Sequence, residues 1–479
     1  MIKKSSVIII IFILLVTFTL PAQENYMQVK GDSLVGRTLN GEMIREVYGN
    51  VVITQGNVII TCNQATQFIS RNEAELIGNV VLKQDSLTIT TAKGFYYGDQ
   101  KESISDTAIK LEDGKVTLTA KRGRYYFDVH QAFFQDSVKL RDSVSVLTSD
   151  SLTYYRDENR MVAVSNVTIV DTASSIMADS LEHFRKTRVT YAYHNIKAIN
   201  RENHLIMFGD HLEDYPEQHY TMVNKNPILL QIDTTYVHKT DSLSVNNGES
   251  PDSTMQIDSL LIKSRLMEAY RDTLDYFKVT DSVSIVRGDF ASINNLTLYF
   301  RKAGQIVTYR TSDSTAQPYL WYENTQLTGD SVTIFLDDNR IHFLKVNKDA
   351  YIISQNENYH NRFDQTSGDS VFMTFENSRL QETNIWGNMF SIYYQYDGTE
   401  PNGLTKSSAQ NAIINFANNK VDEIRMYGSP NSEFYPERLV KGKEDTFVLA
   451  KFVAYRKKPD KESIIRAIPV RWRKSEGIN

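Results

Sequence analysis

Cysteine is almost missing from this chain: Cys62 is the single one in 479 residues. No intramolecular disulfide can form, so stability has to come from burial and strand pairing. Positive charge is not in excess either. Lys and Arg number 53 against 58 Asp and Glu, a formal net charge of -5, which argues against a general nucleic-acid binder. A long apolar run is also lacking. The stretch from Val7 to Leu20 is too short for a comfortable membrane span. No phosphate-cradling glycine loop, Gly-x-Ser-x-Gly elbow, dinucleotide fingerprint, His-Glu-x-x-His pair or Cys/His metal spacing occurs. No cofactor is implied, and no metal.

What is present is a beat. Phe68, Tyr97, Tyr126, Tyr155 and Phe184 stand 29 positions apart, and the residues between them repeat their chemistry in the same register. Such periodicity marks a repeat array, whose function lies in a stacked surface. One column reads Val51, Val80, Ile109, Val138, Val167, and two places on another reads Ile53, Leu82, Leu111, Leu140, Ile169. The columns between and after them accept Lys, Arg, Glu and Thr. Apolar and polar-tolerant positions alternating every second residue predict strands with one buried face. A second strand in each copy carries Ile60, Ile89, Leu118, Leu147 and Ile176 opposite Thr61, Thr90, Thr119, Thr148 and Met177. A column of small residues follows at Cys62, Thr91, Ala120, Ser149 and Ala178, which gives Cys62 a packing role before any reactive one. Gln55-Gly56-Asn57 and Glu112-Asp113-Gly114 supply turn chemistry between strands.

The length allows two or three domains or one long solenoid-like body. Lys3 and Lys4, the apolar run and Pro21-Ala22-Gln23 predict a secretory signal over residues 1–22, cleaved after Ala22. A retained anchor is the alternative, because Leu20 is not small. No cysteine follows the run, which argues against lipidation. A first array is expected over 26–230, a polar linker or insertion over 231–278 with a short helix around Leu260 to Tyr276, and a second, degenerate array over 279–436. The second array rests on Asp330-Ser331-Val332-Thr333-Ile334, which echoes Asp150-Ser151-Leu152-Thr153-Tyr154. The C-terminal segment 437–479 is basic through Arg456, Lys457, Lys458, Arg471, Arg473 and Lys474, and reads as a solvated tail or a contact for anionic lipid or phosphate.

Candidate chemistry is thin. Asp99, Asp128 and Asp157 form a column that a calcium ladder or a glycosidase pair would use, but Ser70 and Lys186 break it at both ends. The recurring Asp-Ser-Leu or Asp-Ser-Val, at Asp32, Asp85, Asp136, Asp142, Asp150, Asp179, Asp281, Asp330 and Asp369, is too frequent for a nucleophile and reads as a turn-then-strand signal. His183, His194, His204, His211 and His219 cluster where the first array frays, without metal-ligand spacing.

Gly49-Asn50-Val51-Val52-Ile53 and Gly78-Asn79-Val80-Val81-Leu82, each followed by a strand, a small residue and an aromatic, resemble the repeats of OstA-like proteins. That family comprises lipopolysaccharide-transport periplasmic bridge proteins and the N-terminal domain of the outer-membrane lipopolysaccharide assembly protein. The resemblance implies an all-β, V-shaped, taco-like antiparallel jelly roll whose seam holds the acyl chains of lipopolysaccharide. It also implies a periplasmic, non-catalytic role, and partners among other jelly-roll components of the bridge joined by edge-strand pairing. Membrane contact would come through partners or the basic C-terminus. The groove residues expected on this reading are Val51, Ile53, Ile60, Phe68, Val80, Leu82, Ile89, Tyr97, Leu118, Tyr126, Leu147 and Tyr155. Two alternatives stay open: a β-helix enzyme or lectin acting on envelope polysaccharide, and a structural spacer with a dry core.

Overall fold

The computed structural model describes residues 26–202, 204–238, 253–312, 314–337, 340–376, 379–417, 420–450 and 453–476. The expected signal over 1–22 lies outside them. The described residues are almost all antiparallel strand, with short helices confined to the C-terminal segment apart from two single 3-10 turns at Ile69–Arg71 and Pro216–Gln218. Two compact units are distinguished, Met1–Asp136 and Ser137–Asn479, a division that falls inside the first expected array.

In the first unit Glu42–Gln55, Val58–Phe68, Glu73–Gln84 and Leu87–Tyr97 follow one another as hairpins. Alternating apolar residues and short turns account for this meander. The next strand is broken in two, and its pieces Glu102–Ser105 and Ile109–Glu112 each pair with half of Leu87–Tyr97. Short edge strands Gln28–Lys30 and Ser33–Leu39 lie along Glu42–Gln55.

Most long strands shift register at their middle, as between Tyr48 and Val51, Thr61 and Gln64, and Ile77 and Val80. The cause is a bulge of two consecutive left-handed residues. These pairs are Gly49-Asn50, Gly78-Asn79, Asp136-Ser137, Ser165-Asn166 and His194-Asn195, and they recur in the later strands as Asp281-Ser282, Lys348-Asp349 and Gly387-Asn388. Glycine, asparagine and aspartate tolerate positive φ best, which explains the Gly-Asn signature of the early copies. The asparagine amide is then held by an aspartate on the neighbouring chain segment: Asn50 to Asp32 at 2.9 Å, Asn166 to Asp150 at 2.7 Å, Asn195 to Asp179 at 2.6 Å and Asn388 to Asp369 at 3.0 Å. The Asp-Ser tripeptide is therefore not one turn signal. Asp150, Asp179 and Asp369 lie within strands facing a bulge, whereas Asp136 and Asp281 are bulge residues themselves.

The second unit continues the meander from Val146–Tyr155 through Leu205–Tyr215 and on to the strands Arg340–Gln355, Phe363–Glu376, Arg379–Asp397 and Glu400–Ala417. Three expectations fail here. The described part of 231–278 is mostly paired strand, since Ile228–His238 and Ser253–Lys263 form one antiparallel hairpin and Leu266–Tyr270 pairs with Tyr276–Arg287; residues 239–252 lie outside the description. No helix covers Leu260 to Tyr276. Leu260, Leu261 and Ile262 pair with Arg287, Val286 and Ile285, and that cross-strand burial outweighs a weak local helical pattern. The basic segment is not a solvated tail either. Helices Lys461–Ala467 and Val470–Glu476 bury Ile464, Ile465, Ile468 and Trp472 against Phe208, Leu230, Leu261 and Trp321.

Candidate functional site: a folded apolar sheet and its polar rim

In the first unit the bulged strands bury side chains on both of their halves, and contacts from Gln55 to Gly98 and Tyr96 join the opposite strand ends across an apolar interior. In the first unit one wall carries Val51, Ile53, Ile60, Val80, Leu82, Ile89, Ile109, Leu111 and Leu118, all at most 4% exposed. The opposing wall carries Ile44, Val47, Ala65, Ala74, Leu76, Tyr96, Tyr125, Ala132 and Phe134, all at most 1% exposed. Removing such side chains from water stabilises the unit by about 25 cal/mol per Å² of apolar surface. The small column sits beside the bulge, where Cys62 faces Val51, Thr91 faces Val80 and Ala120 faces Ile109. Burial pushes the Cys62 thiol up to about 11, so it remains a packing group.

The bulge also corrects part of the expected site. The inner face passes through Ile60 and Cys62 and then, after the extra residue, through Ala65 and Gln67. One inserted residue reverses which side chains point inward. Phe68, Tyr97, Tyr126 and Tyr155 therefore stand on the outer face, half-buried, and do not join Val51, Ile53, Ile60, Val80, Leu82, Ile89, Leu118 and Leu147. Arg71 lies 4.3 Å from the centre of the Phe68 ring and Arg160 3.8 Å from that of Tyr155. The aromatic beat of the interior lies one residue earlier, at Tyr96, Tyr125 and Tyr154, with Gln67 and His183 in the same column. The same 29-residue spacing marks both columns, so only the bulge decides between them.

On the outer face of the second unit the beat becomes a cross-strand ladder. Phe184, Tyr191, Tyr215, Tyr220, Tyr270, Tyr276 and Phe300 touch in sequence with ring centres 4.5–6.2 Å apart. Tyr215 donates to Glu213 at 2.7 Å, and Tyr220 and Tyr270 donate to Glu268 at 3.0 and 2.9 Å. Rings in successive edge-on, tilted and stacked contact, several with engaged hydroxyls, hold strands in register.

At the rim, another 29-residue column changes identity. Gln55 reaches across the fold, donating to the Gly98 carbonyl at 3.0 Å and accepting from the Tyr96 hydroxyl at 2.8 Å. Gln84 does the same to the Phe127 carbonyl at 3.2 Å. The next members are Asp113, Asp142 and Asp171, whose shorter carboxylates accept from their own hairpins. Asp142 takes the amides of Val144 and Ser145 at 2.9 and 2.7 Å, and Asp171 those of Ala173 and Ser174 at 2.8 and 2.6 Å. A cavity of about 310 Å³ lies beside these two aspartates, lined by Ile169, Ile176, His183, Arg185, Thr190 and Asp214 among others. Ile169 and Ile176 are half-buried, whereas Leu140 and Leu147 one copy earlier are fully buried. His183 is bonded through Nδ1 to the Thr190 hydroxyl at 2.9 Å, and burial pushes its imidazole down to about 4, so it is neutral at pH 7. Among the described residues no cluster of three or more His, Cys, Asp or Glu is placed to hold a metal ion.

Among solved structures, one similar chain is LptH of Pseudomonas aeruginosa, the LptA homologous periplasmic component of a lipopolysaccharide transport device. It is 14% identical, with 36% of this chain and 87% of that chain covered and a TM-score of 0.12, a likeness that fixes neither fold nor activity. Comparison with curated proteins finds no match. The family of OstA-like proteins matches residues 27–155, a span that begins at the first edge strand and takes in the bulged hairpins, the small-residue column and both aromatic columns. Over residues 27–155, this chain is similar to the OstA-like proteins.

Proposed function

We propose that the protein is a non-catalytic periplasmic carrier of lipopolysaccharide, holding acyl chains between the two walls of its folded sheet. The observation that carries this reading is the change along the interior. Within the second unit Leu140 and Leu147 are fully buried, while Ile169 and Ile176, one copy further on and beside the cavity at Asp171, are half-buried. An acyl chain in water costs about 0.8 kcal/mol per exposed methylene, so a multi-chain lipid needs a continuous apolar path to cross an aqueous gap. Columns repeated every 29 residues offer similar surroundings at each step, which suits sliding over trapping. The OstA-like segment and the apolar N-terminal run support export to the periplasm. The edge strand Ser33–Leu39 pairs only with Glu42–Gln55 among the described residues and exposes Leu34, Val35 and Leu39, an edge suited to a further jelly-roll partner.

Photo-crosslinkers at Ile60, Leu118, Leu147 and Ile176 are expected to capture lipid A from micelles, and those at Thr61, Thr119 and Thr148 are not. Equal labelling of both sets sinks the groove. A closed spacer is the second reading, favoured by the dryness of the first unit's interior. It predicts no capture at any inner position and no lipid co-purifying by mass spectrometry.

A further inference from the structure

The interior of the second unit already has an occupant, which is the chain's own C-terminus. Its contacts step along the unit in one direction. Gln365 donates to the Phe447 carbonyl at 3.0 Å and accepts from the Leu449 amide at 3.1 Å. Gln326 does the same for Ala454 and Arg456, at 3.2 and 2.6 Å. Lys458 then bonds the Asp289 carbonyl, Trp472 donates to the Asn195 carbonyl at 3.0 Å, and Arg471 pairs with Asp179 at 3.2 Å. The partners run from residue 365 back to 179, so the segment lies lengthwise across successive strands, along the path a sliding lipid would take.

Its attachment is unlike the rest of the fold. Between Phe447 and Asp460 the described residues form no strand ladder, and two inward glutamines hold the main chain. The helices that follow span seven residues each and press Ile464, Ile465, Ile468 and Trp472 onto the inner face. At its start the segment is clamped by Arg362, which lies between the rings of Tyr359 and Tyr394 and makes paired bonds of 3.0 and 2.6 Å to Glu437 and one of 3.3 Å to Glu444. Beside the clamp the segment leaves a cavity of about 500 Å³, lined by Phe363, Gln365, Tyr394, Glu444 and Phe447 among others.

We propose that residues 447–450 and 453–476 are a displaceable plug, which fills the apolar interior of the second unit until an acyl-chain ligand takes its place. The inference rests on the carrier reading. A lipid with several chains buries more methylenes than four side chains and two short helices do, so it competes for the same surface without a new site being made. Until then the plug keeps the inner face from water, where an open apolar patch would invite aggregation.

The test uses the full chain with p-benzoylphenylalanine in place of Ile199, a half-buried residue packed on the plug's cluster. Without ligand, the crosslink is expected to map to the peptide 461–476. With lipid A micelles, it is expected to pass to lipid while amide exchange across 461–476 quickens. Arg362→Gln, which weakens the clamp, is expected to raise lipid capture at that position several-fold. A parallel crosslinker at Leu118 separates the two hypotheses. Lipid captured at position 118, with position 199 still joined only to the helix and its exchange unchanged, overturns the plug and leaves the carrier standing. Lipid captured at neither position overturns both.

Discussion

Tyr96 and Tyr97 are neighbours in sequence that the bulge assigns to opposite faces, and exchanging each for alanine tests that assignment directly. Tyr96 is fully buried; its ring meets Phe127 edge-on at 5.9 Å and its hydroxyl donates to Gln55. Truncating a buried aromatic costs about 3–5 kcal/mol, and the lost hydrogen bond contributes about 1 kcal/mol on its own. Tyr97 is half-buried and stacks loosely on Phe95 at 6.4 Å, so its truncation is expected to cost about 1 kcal/mol. Tyr96→Phe, which keeps the ring and loses the hydroxyl, falls near that value too. The readout is amide exchange across Val58–Phe68 and Leu87–Tyr97, because a two-unit chain need not unfold in one step. A loss of about 4 kcal/mol corresponds to roughly a thousandfold fall in protection, against less than about tenfold for Tyr97→Ala. Equal losses for the two alanine variants, or a larger one for Tyr97, would refute the inward assignment of the Tyr96 column.

His183 gives a pH signature. Its imidazole is held near 4 in the fold against 6.5 when free, so the unfolded chain takes up the proton first. The stabilisation is complete above pH 6.5 and is lost as pH falls toward 4, about 2 kcal/mol of it by pH 5. His183→Tyr, the residue its column carries at 96, 125 and 154, should flatten that part of the urea-midpoint profile between pH 7.5 and 5. Gly387 and Gly398 both have positive φ, but a Cβ at Gly387 would lie 2.2 Å from the Asp369 carboxylate while one at Gly398 meets nothing. Gly398→Ala should cost about 1 kcal/mol of backbone strain and Gly387→Ala clearly more, by the same midpoints. Arg362→Ala leaves Glu437 and Glu444 without their clamp. Breaking such a pair costs about 3–5 kcal/mol where it is buried, and less here because Glu437 is partly exposed. Limited trypsin digestion should then cut first at Lys457 and Lys458.

Much of the architecture was legible in the residues because the repeat averages out local noise. The aliphatic columns at Val51, Ile53, Ile60 and their successors are apolar in copy after copy, and all prove buried except Ile169 and Ile176, which are half-buried. Alternation alone could not carry that pattern past Cys62. A strand read with period two puts Phe68 on the side of Ile60, and nothing in Asn63 or Gln64 announces an extra residue. The signal existed elsewhere, in Gly49-Asn50 and Gly78-Asn79, whose left-handed geometry bends the facing strand as well as their own. The plug was hidden for a different reason. Its basic residues suggest solvent, whereas the contacts that fix it lie 82 to 292 positions away, a separation no local pattern encodes. The helix expected around Leu260 failed likewise, since pairing with Ile285 and Val286 decides that segment.

The rim column shows how a small change in side-chain length redirects the hydrogen bonds at the edge of the interior. Gln55 and Gln84 are long enough to cross the fold and bond carbonyls 43 residues away. Asp142 and Asp171 occupy the same place in the repeat but are one methylene shorter, and their carboxylates are acceptors only. They cannot donate to a carbonyl opposite, so they turn back to cap their own hairpins. The apolar wall beneath is unchanged in kind, yet Ile169 and Ile176 meet water and Ile53 and Ile60 do not. Donor capacity is not the whole cause, since Leu111, Leu118, Leu140 and Leu147 beside Asp113 and Asp142 are fully buried too, and the mouth is confined to the copy at Asp171. An apolar path with a local mouth is what a lipid carrier needs, and a uniform spacer has no reason to vary its rim.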